Sequence, residues 1–175
     1  FVTARYPQKF GFERNPQYQP NDPNMGLTRD EKTIAELLRP VGYHSGIIGK
    51  WHLGAHIPTS HPMKRGFDEF YGHLGGGHVY FPEKLTIKRS QDAKGESESY
   101  RTWLLKNYEP VPPRKYITED FSDEAVSFVK RNRDLSFFLF LSYNAPHTPL
   151  EATEKYLSRF PEIKDKKRKT YAAMV

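Results

Sequence analysis

Residues 136–143 read Ser136-Phe137-Phe138-Leu139-Phe140-Leu141-Ser142-Tyr143, with five inner residues that are apolar without a break. A run this short and this uniformly apolar fits a strand buried on both faces, as in a parallel sheet. It runs out into Asn144-Ala145-Pro146-His147, which sets a histidine just past the strand end. Upstream, Gly46-Ile47-Ile48-Gly49 is a second short apolar run, consistent with a buried strand that delivers Lys50 at its carboxyl end. A helical pattern precedes each run. Ile34, Leu37 and Leu38 form one stripe, introduced by Thr28-Arg29-Asp30-Glu31 at capping-box spacing and ended by Pro40 and Gly42. Phe121, Ala125, Phe128 and Val129, at i, i+4, i+7 and i+8, form the other. Helix, strand, polar residue, twice over, is an α/β arrangement, and open α/β sheets carry their sites beyond the carboxyl ends of their strands.

The remaining segments carry weaker patterns. Residues 6–30 are rich in Pro, Asn, Gln and Gly and read as an irregular surface segment. Residues 51–116 read as loop-like, with Gly75-Gly76-Gly77 and a polar stretch from Lys88 to Tyr100. The glycine triplet lacks the spacing and strand–helix setting of a nucleotide-binding loop. Residues 170–175 read as the first turns of a helix, and the basic run Lys164–Lys169 as a solvated loop or helix start.

The 175 residues suffice for one domain and suggest no more than one. Hydrophobic residues make up only 37% while aromatics reach 14%, so the rings imply a core completed in part by residues outside the chain. The formal charge of +6 permits attraction to acidic partners. No stretch approaches the ~18 apolar residues that span a bilayer. The absence of cysteine excludes disulfides and thiolate sites.

Three side chains stand out. In extended backbone Lys50 and His52 would point to the same side, bringing an ammonium and an imidazole onto one point. Together they suit an oxyanion, although Lys-x-His alone is weak evidence and more often structural. The flanking glycines, 49 and 54, would let backbone and substrate approach closely. His147 lies between Pro146 and Thr148-Pro149, a reasonable way to hold a proton donor, or a loop histidine packed on its neighbours. His52, His56 and His61 lie in a Gly/Pro loop with no completing carboxylate and do not form a zinc pattern. His73 and His78 flank the glycine triplet, lining either a pocket or only a turn.

Several strings, in order and at matched spacing, resemble the sulfatase family, in the arylsulfatase-like branch of the alkaline phosphatase superfamily. They are Thr33–Leu38, Gly42-Tyr43, Gly49-Lys50-Trp51-His52-Leu53-Gly54, Arg65-Gly66-Phe67-Asp68-Glu69-Phe70-Tyr71-Gly72 and Phe137–Pro149 with its Asn-Ala-Pro-His-Thr-Pro. The match continues through Glu154-Lys155-Tyr156 to Tyr171–Val175 and is least specific over residues 84–115. The resemblance implies a partial three-layer α/β/α alkaline-phosphatase-like domain with a mostly parallel sheet over residues 1–175. It implies hydrolysis of aryl or carbohydrate sulfate esters through a formylglycine hydrate beside a divalent cation, usually calcium. Thr3-Ala4-Arg5-Tyr6-Pro7 is similar to the segment that closely follows the formylglycine motif, with Ala4 in place of a usual Gly and Pro40 where a helix former is common. The formylglycine and the calcium ligands are therefore expected outside this chain, and the chain alone is expected to be inactive. By resemblance, Lys50 binds the sulfate, His52 takes a proton from the hydrate and His147 lies beside the leaving-group oxygen. The implied partner is a sulfated small molecule or glycan, with no nucleic acid and no membrane span, in a secreted, periplasmic or lysosomal setting. A phosphate or phosphonate monoester hydrolase of the same superfamily, and a non-catalytic binder of sulfated glycans, stay open as alternatives.

Overall fold

The computed structural model describes all 175 residues, organised around one five-stranded sheet. In chain order the strands are β1 (His44–Lys50), β2 (Glu69–His73), β3 (Leu104–Lys106), β4 (Glu109–Val111) and β5 (Phe137–Ser142). The spatial order is β4-β3-β2-β1-β5. β1 pairs in parallel with both β2 and β5, and β3 and β4 extend the sheet as antiparallel strands beyond β2. The helices are α1 (Ile34–Leu38), α2 (Ile57–Ser60), α3 (Glu96–Ser99), α4 (Ile117–Asn132), α5 (Glu154–Leu157) and α6 (Lys166–Met174).

Alternation along the strands divides the core into two layers. Ile47 and Phe70 face a cluster that includes Ala35 of α1, Trp51, Phe67 and Leu105. Ile48 and Tyr71 face the opposite cluster, which holds Phe121, Ala125 and Phe128 of α4 with Tyr80 and Leu104. Helices thus cover both faces of the sheet, the three-layer arrangement of an α/β domain. The stripe expected on α4 packs through Phe121, Ala125 and Phe128, whereas Val129 is exposed.

Several sequence expectations need correction. The capping box is Thr33 and Glu36, not Thr28 and Glu31. Thr33 Oγ1 accepts the Glu36 N–H at 3.2 Å, and Glu36 Oε2 accepts the Thr33 N–H at 2.7 Å. Helix α1 then yields to a 3₁₀ turn at Arg39–Val41 containing Pro40, the short helix expected there. β5 lies at an edge of the sheet, so each of its six residues is only partly buried rather than enclosed on both faces. Residues 70–80, read as loop, are buried without interruption. Residues 6–30 do not simply lie on the surface: Tyr18 and Leu27 are buried, and the Tyr18 hydroxyl donates to the Ser90 carbonyl at 2.7 Å. The basic run needs no correction: as a helix start it opens α6 with residues 166–169, capped by Asp165 Oδ1, which accepts the Arg168 N–H at 2.7 Å.

The Arg65–Gly72 string is architectural. The buried Arg65 guanidinium donates to the carbonyls of Leu27, Thr28 and Glu31 at 2.9, 3.2 and 2.5 Å, which pins the irregular segment to the sheet. Asp68 accepts the Ser45 N–H at 2.8 Å, and Glu69 accepts from Arg131, His44 and Asn132. Burial works against the Glu69 charge, but these hydrogen bonds outweigh it and hold the carboxyl below its ordinary range.

Candidate active site

The three parallel strands end on one edge of the sheet. Lys50, the last residue of β1, is in register with His73, the last of β2, and Gly49 pairs with Ser142, the last of β5. Just past β5 come Asn144 and His147, with His147 between the cis peptide bonds Ala145-Pro146 and Thr148-Pro149. The Asn144 carbonyl accepts the His147 N–H at 2.9 Å, and Asn144 Nδ2 donates to the His78 carbonyl at 3.1 Å. The loop after β5 is thereby tied to the segment after β2.

Lys50 and His52 reach this edge by a route other than simple extended backbone. Gly49 has φ +111°, and a Cβ there would lie 1.9 Å from the Ser142 carbonyl oxygen, so only glycine allows β1 and β5 to approach this closely. The chain then follows β2, with Trp51 N–H donating to His73 O and His52 N–H to Leu74 O at 3.0 and 3.2 Å. His52 adopts left-handed backbone at φ +51°. The glycines flanking the string pack against protein: Gly54 abuts Ser60 and Met25, not open space.

A cavity of ≈ 290 Å³ beyond the strand ends is lined by His52, His147, Gly76, Glu96, Tyr100 and residues 15–17 of the irregular segment. Lys50 lies within electrostatic reach of His52 and Glu96. Burial lowers the pKa of the Lys50 ammonium, with Glu96 opposing it. Burial also lowers that of the His52 imidazole, the neighbouring Lys50 charge adds to the effect, and Glu96 opposes it. Neutral imidazole is therefore favoured at His52. Behind them His73 is fully buried, with ring centroid 4.9 Å from that of His78. Burial, then His78 and Lys50, push the His73 pKa well down, and neither ring nitrogen makes a hydrogen bond. His56 and His61 go elsewhere. His56 Nδ1 pairs with Thr59 Oγ1 at 2.8 Å, and His61 is buried against Phe70 and Tyr108.

Gly76 of the glycine triplet lines the cavity, and its neighbours pack behind it. A Cβ on Gly76 would meet Glu96 Oε1 at 2.6 Å and His52 Nε2 at 2.7 Å, and one on Gly77 would meet Tyr100 Cζ at 2.4 Å. The Gly76 N–H donates to Glu96 Oε1 at 3.1 Å. The bare backbones of Gly76 and Gly77 thus let His52, Glu96 and Tyr100 pack directly against the chain, while Gly75 makes room for Ser99. Glu96 and Tyr100, from and just after α3, are the site residues that sequence reading missed. They belong to the segment read as polar loop, and only the triplet against which they pack hinted at a crowded surface.

No group of three or more His, Asp or Glu side chains in this chain is gathered in metal-holding geometry. The donor set here is an ammonium, imidazoles and one carboxylate already accepting a backbone N–H, which does not fit the oxygen-rich cage that calcium requires. What the arrangement can do is receive an anion and exchange protons with it.

The family model described as Sulfatase matches residues 1–175. N-acetylgalactosamine-6-sulfatase of Homo sapiens is 34% identical over 170 residues, covering 89% of this chain and 31% of that protein. Arylsulfatase of Klebsiella aerogenes is 31% identical over 137 residues, covering 77% and 28%. The crystal structure of Ps i-CgsB in complex with k-i-k-neocarrahexaose superposes with a TM-score of 0.88 at 45% identity, covering 99% of this chain and 39% of that one. The chain spans about a third of the length of the curated relatives it matches.

Proposed function

The chain belongs to the sulfatase family, and on that premise we propose that the whole protein hydrolyses sulfate esters of a carbohydrate or aryl substrate. The observation that carries this reading is the gathering of Lys50, His52 and His147 around the carboxyl ends of β1 and β5, with Glu96 the one carboxylate that lines the cavity. In this reading the Lys50 ammonium holds sulfate oxygens, where negative charge must be stabilised as the ester breaks. His52, kept neutral by burial and by Lys50, accepts a proton during sulfate release. His147 lines the same cavity as His52 and donates a hydrogen bond or proton to the leaving-group oxygen.

The nucleophile, a formylglycine by family resemblance, and a divalent cation, calcium in that resemblance, are assigned to residues outside these 175. The residues present here do not supply an oxygen cage for a cation, and no step above depends on one. No helix of the chain is long and apolar enough to cross a membrane. We place the protein in a secreted, periplasmic or lysosomal setting on family resemblance.

The test is release of inorganic sulfate by the full-length protein from a panel of sulfated sugars and aryl sulfates. Turnover on any sulfate ester, with phosphate monoesters cleaved at least tenfold less well, supports the proposal. Preferential phosphate release would favour the phosphatase reading. Binding of sulfated glycan without hydrolysis of either ester would favour a non-catalytic binder.

A further inference from the structure

Beside the small cavity lies a much larger cleft of ≈ 880 Å³ that the chemistry above does not use. The two share Glu96 and Tyr100 as walls, and Thr148 and Pro149, which directly follow His147, line the large one. The Tyr100 ring centroid lies 6.1 Å from that of His147. A substrate seated at His147 therefore has open space continuing past Tyr100, of a size typical of ligand sites.

The charges around this cleft are unequally engaged. Glu151 accepts the Tyr80 N–H at 2.9 Å and the Lys84 ammonium at 2.7 Å, which neutralises that pair. Glu96 accepts the Gly76 N–H and faces the Lys50 and His52 side. Arg101 has neither an ion pair nor a side-chain hydrogen bond, and it is exposed. Its backbone is nonetheless anchored, since its carbonyl accepts the N–H groups of Thr86 and Ile87 at 3.1 Å each and its own N–H donates to Glu98 O at 3.0 Å. A fixed backbone carrying a disengaged guanidinium on a cleft wall suits capture of an anion, because the planar fork can offer two parallel donors to one tetrahedral oxyanion. Tyr100 supplies the complementary part: a flat apolar face for a sugar ring, with a phenol that burial and then Glu96 keep protonated and able to donate.

We propose that this cleft binds a neighbouring sugar unit of a polysulfated oligosaccharide, with Arg101 holding the sulfate of that unit and Tyr100 packing against its ring. The proposal rests on the sulfate-ester reading of the adjoining cavity and adds the substrate class: a chain of sugars carrying more than one sulfate, not an isolated monosulfated unit. Arg101 is then a specificity residue that touches a sulfate other than the one released.

The test uses the full-length protein and Arg101→Ala, with Arg101→Lys alongside. The probes are a hexasaccharide sulfated on alternate sugars, the same hexasaccharide bearing a single sulfate, and a simple aryl sulfate. The expected result is a rise in KM for the polysulfated hexasaccharide of roughly ten- to hundredfold, the scale of one charge-assisted contact. The loss on aryl sulfate or the monosulfated sugar should be at least tenfold smaller, and Arg101→Lys should recover part of the affinity. An equal loss on all three probes, or no loss on any, overturns the proposal. Calorimetric binding of the polysulfated hexasaccharide is measured in parallel. If the protein hydrolyses no sulfate ester, the sulfate-ester reading fails by itself, while weaker binding by Arg101→Ala still supports the cleft assignment and unchanged binding still overturns it.

Discussion

At the scale of single residues the chemistry depends on which form of His52 is present. Burial and the neighbouring Lys50 charge both disfavour imidazolium there, so its pKa lies below the usual 6.5, with Glu96 in opposition. A base works only when deprotonated. As pH falls through this lowered pKa, His52 takes up a proton and kcat/KM falls; above it the neutral form is complete and the acid limb is flat. The pH profile of kcat/KM for the full-length protein should therefore have an acid limb with its midpoint below 6.5, and that limb should be lost in the residual activity of His52→Ala. An acid limb at or above the ordinary imidazole value, or one that survives the substitution, would remove His52 from the base role. Ala4 is a second single-residue case. It holds left-handed backbone at φ 53°, a conformation that costs a non-glycine residue about 1 kcal/mol or more and explains why a glycine is usual at that place in the resemblance.

At the scale of elements, the site is made by what the strand ends and α3 press against. Gly75-Gly76-Gly77 followed no recognised motif, because its requirement is for empty volume beside partners that lie 20 or more residues away in sequence. Glu96 and Tyr100 were illegible for the same reason: α3 is four residues long, too short for a periodic pattern, and long-range packing decides where it points. β3 and β4, three residues each, escaped notice for want of length. By contrast β1, α4 and the Asn144–Pro149 turn were legible, since each carries its own local pattern. The packing of Tyr100 on Gly77 makes a coupled prediction. Gly77→Ala puts a Cβ 2.4 Å from Tyr100 Cζ and should destabilise the full-length protein by about 1–3 kcal/mol in urea unfolding. Adding Tyr100→Ala removes the obstacle, so the double variant should be distinctly more stable than the sum of the two single changes implies. Strict additivity would show that the contact does not shape the site.

At the scale of the whole molecule, one edge of the sheet gathers the candidate site. The parallel strands β2, β1 and β5 run the same way, so the residues at their carboxyl ends meet although they are separated by nearly 100 positions in sequence. The α/β class and the sulfatase relationship were both readable from the ordered strings, because these combine strand ends with the residues just beyond them. The edge position of β5 was not readable, since an apolar run reports the tendency to be buried and not which neighbours are present. Nor was the large cleft, whose walls come from four separate stretches of chain between Val79 and Glu151. The measurement that bears most directly on the function is inorganic sulfate release from a sulfated oligosaccharide by the full-length protein and by its Lys50→Ala variant, with thermal unfolding recorded for both. The expected outcome is release by the unaltered protein and a rate about 10²–10³-fold lower in the variant at an unchanged melting temperature, the effect of losing one preorganised donor to the transition state. Equal rates in the two proteins, or no sulfate release from either, would contradict it.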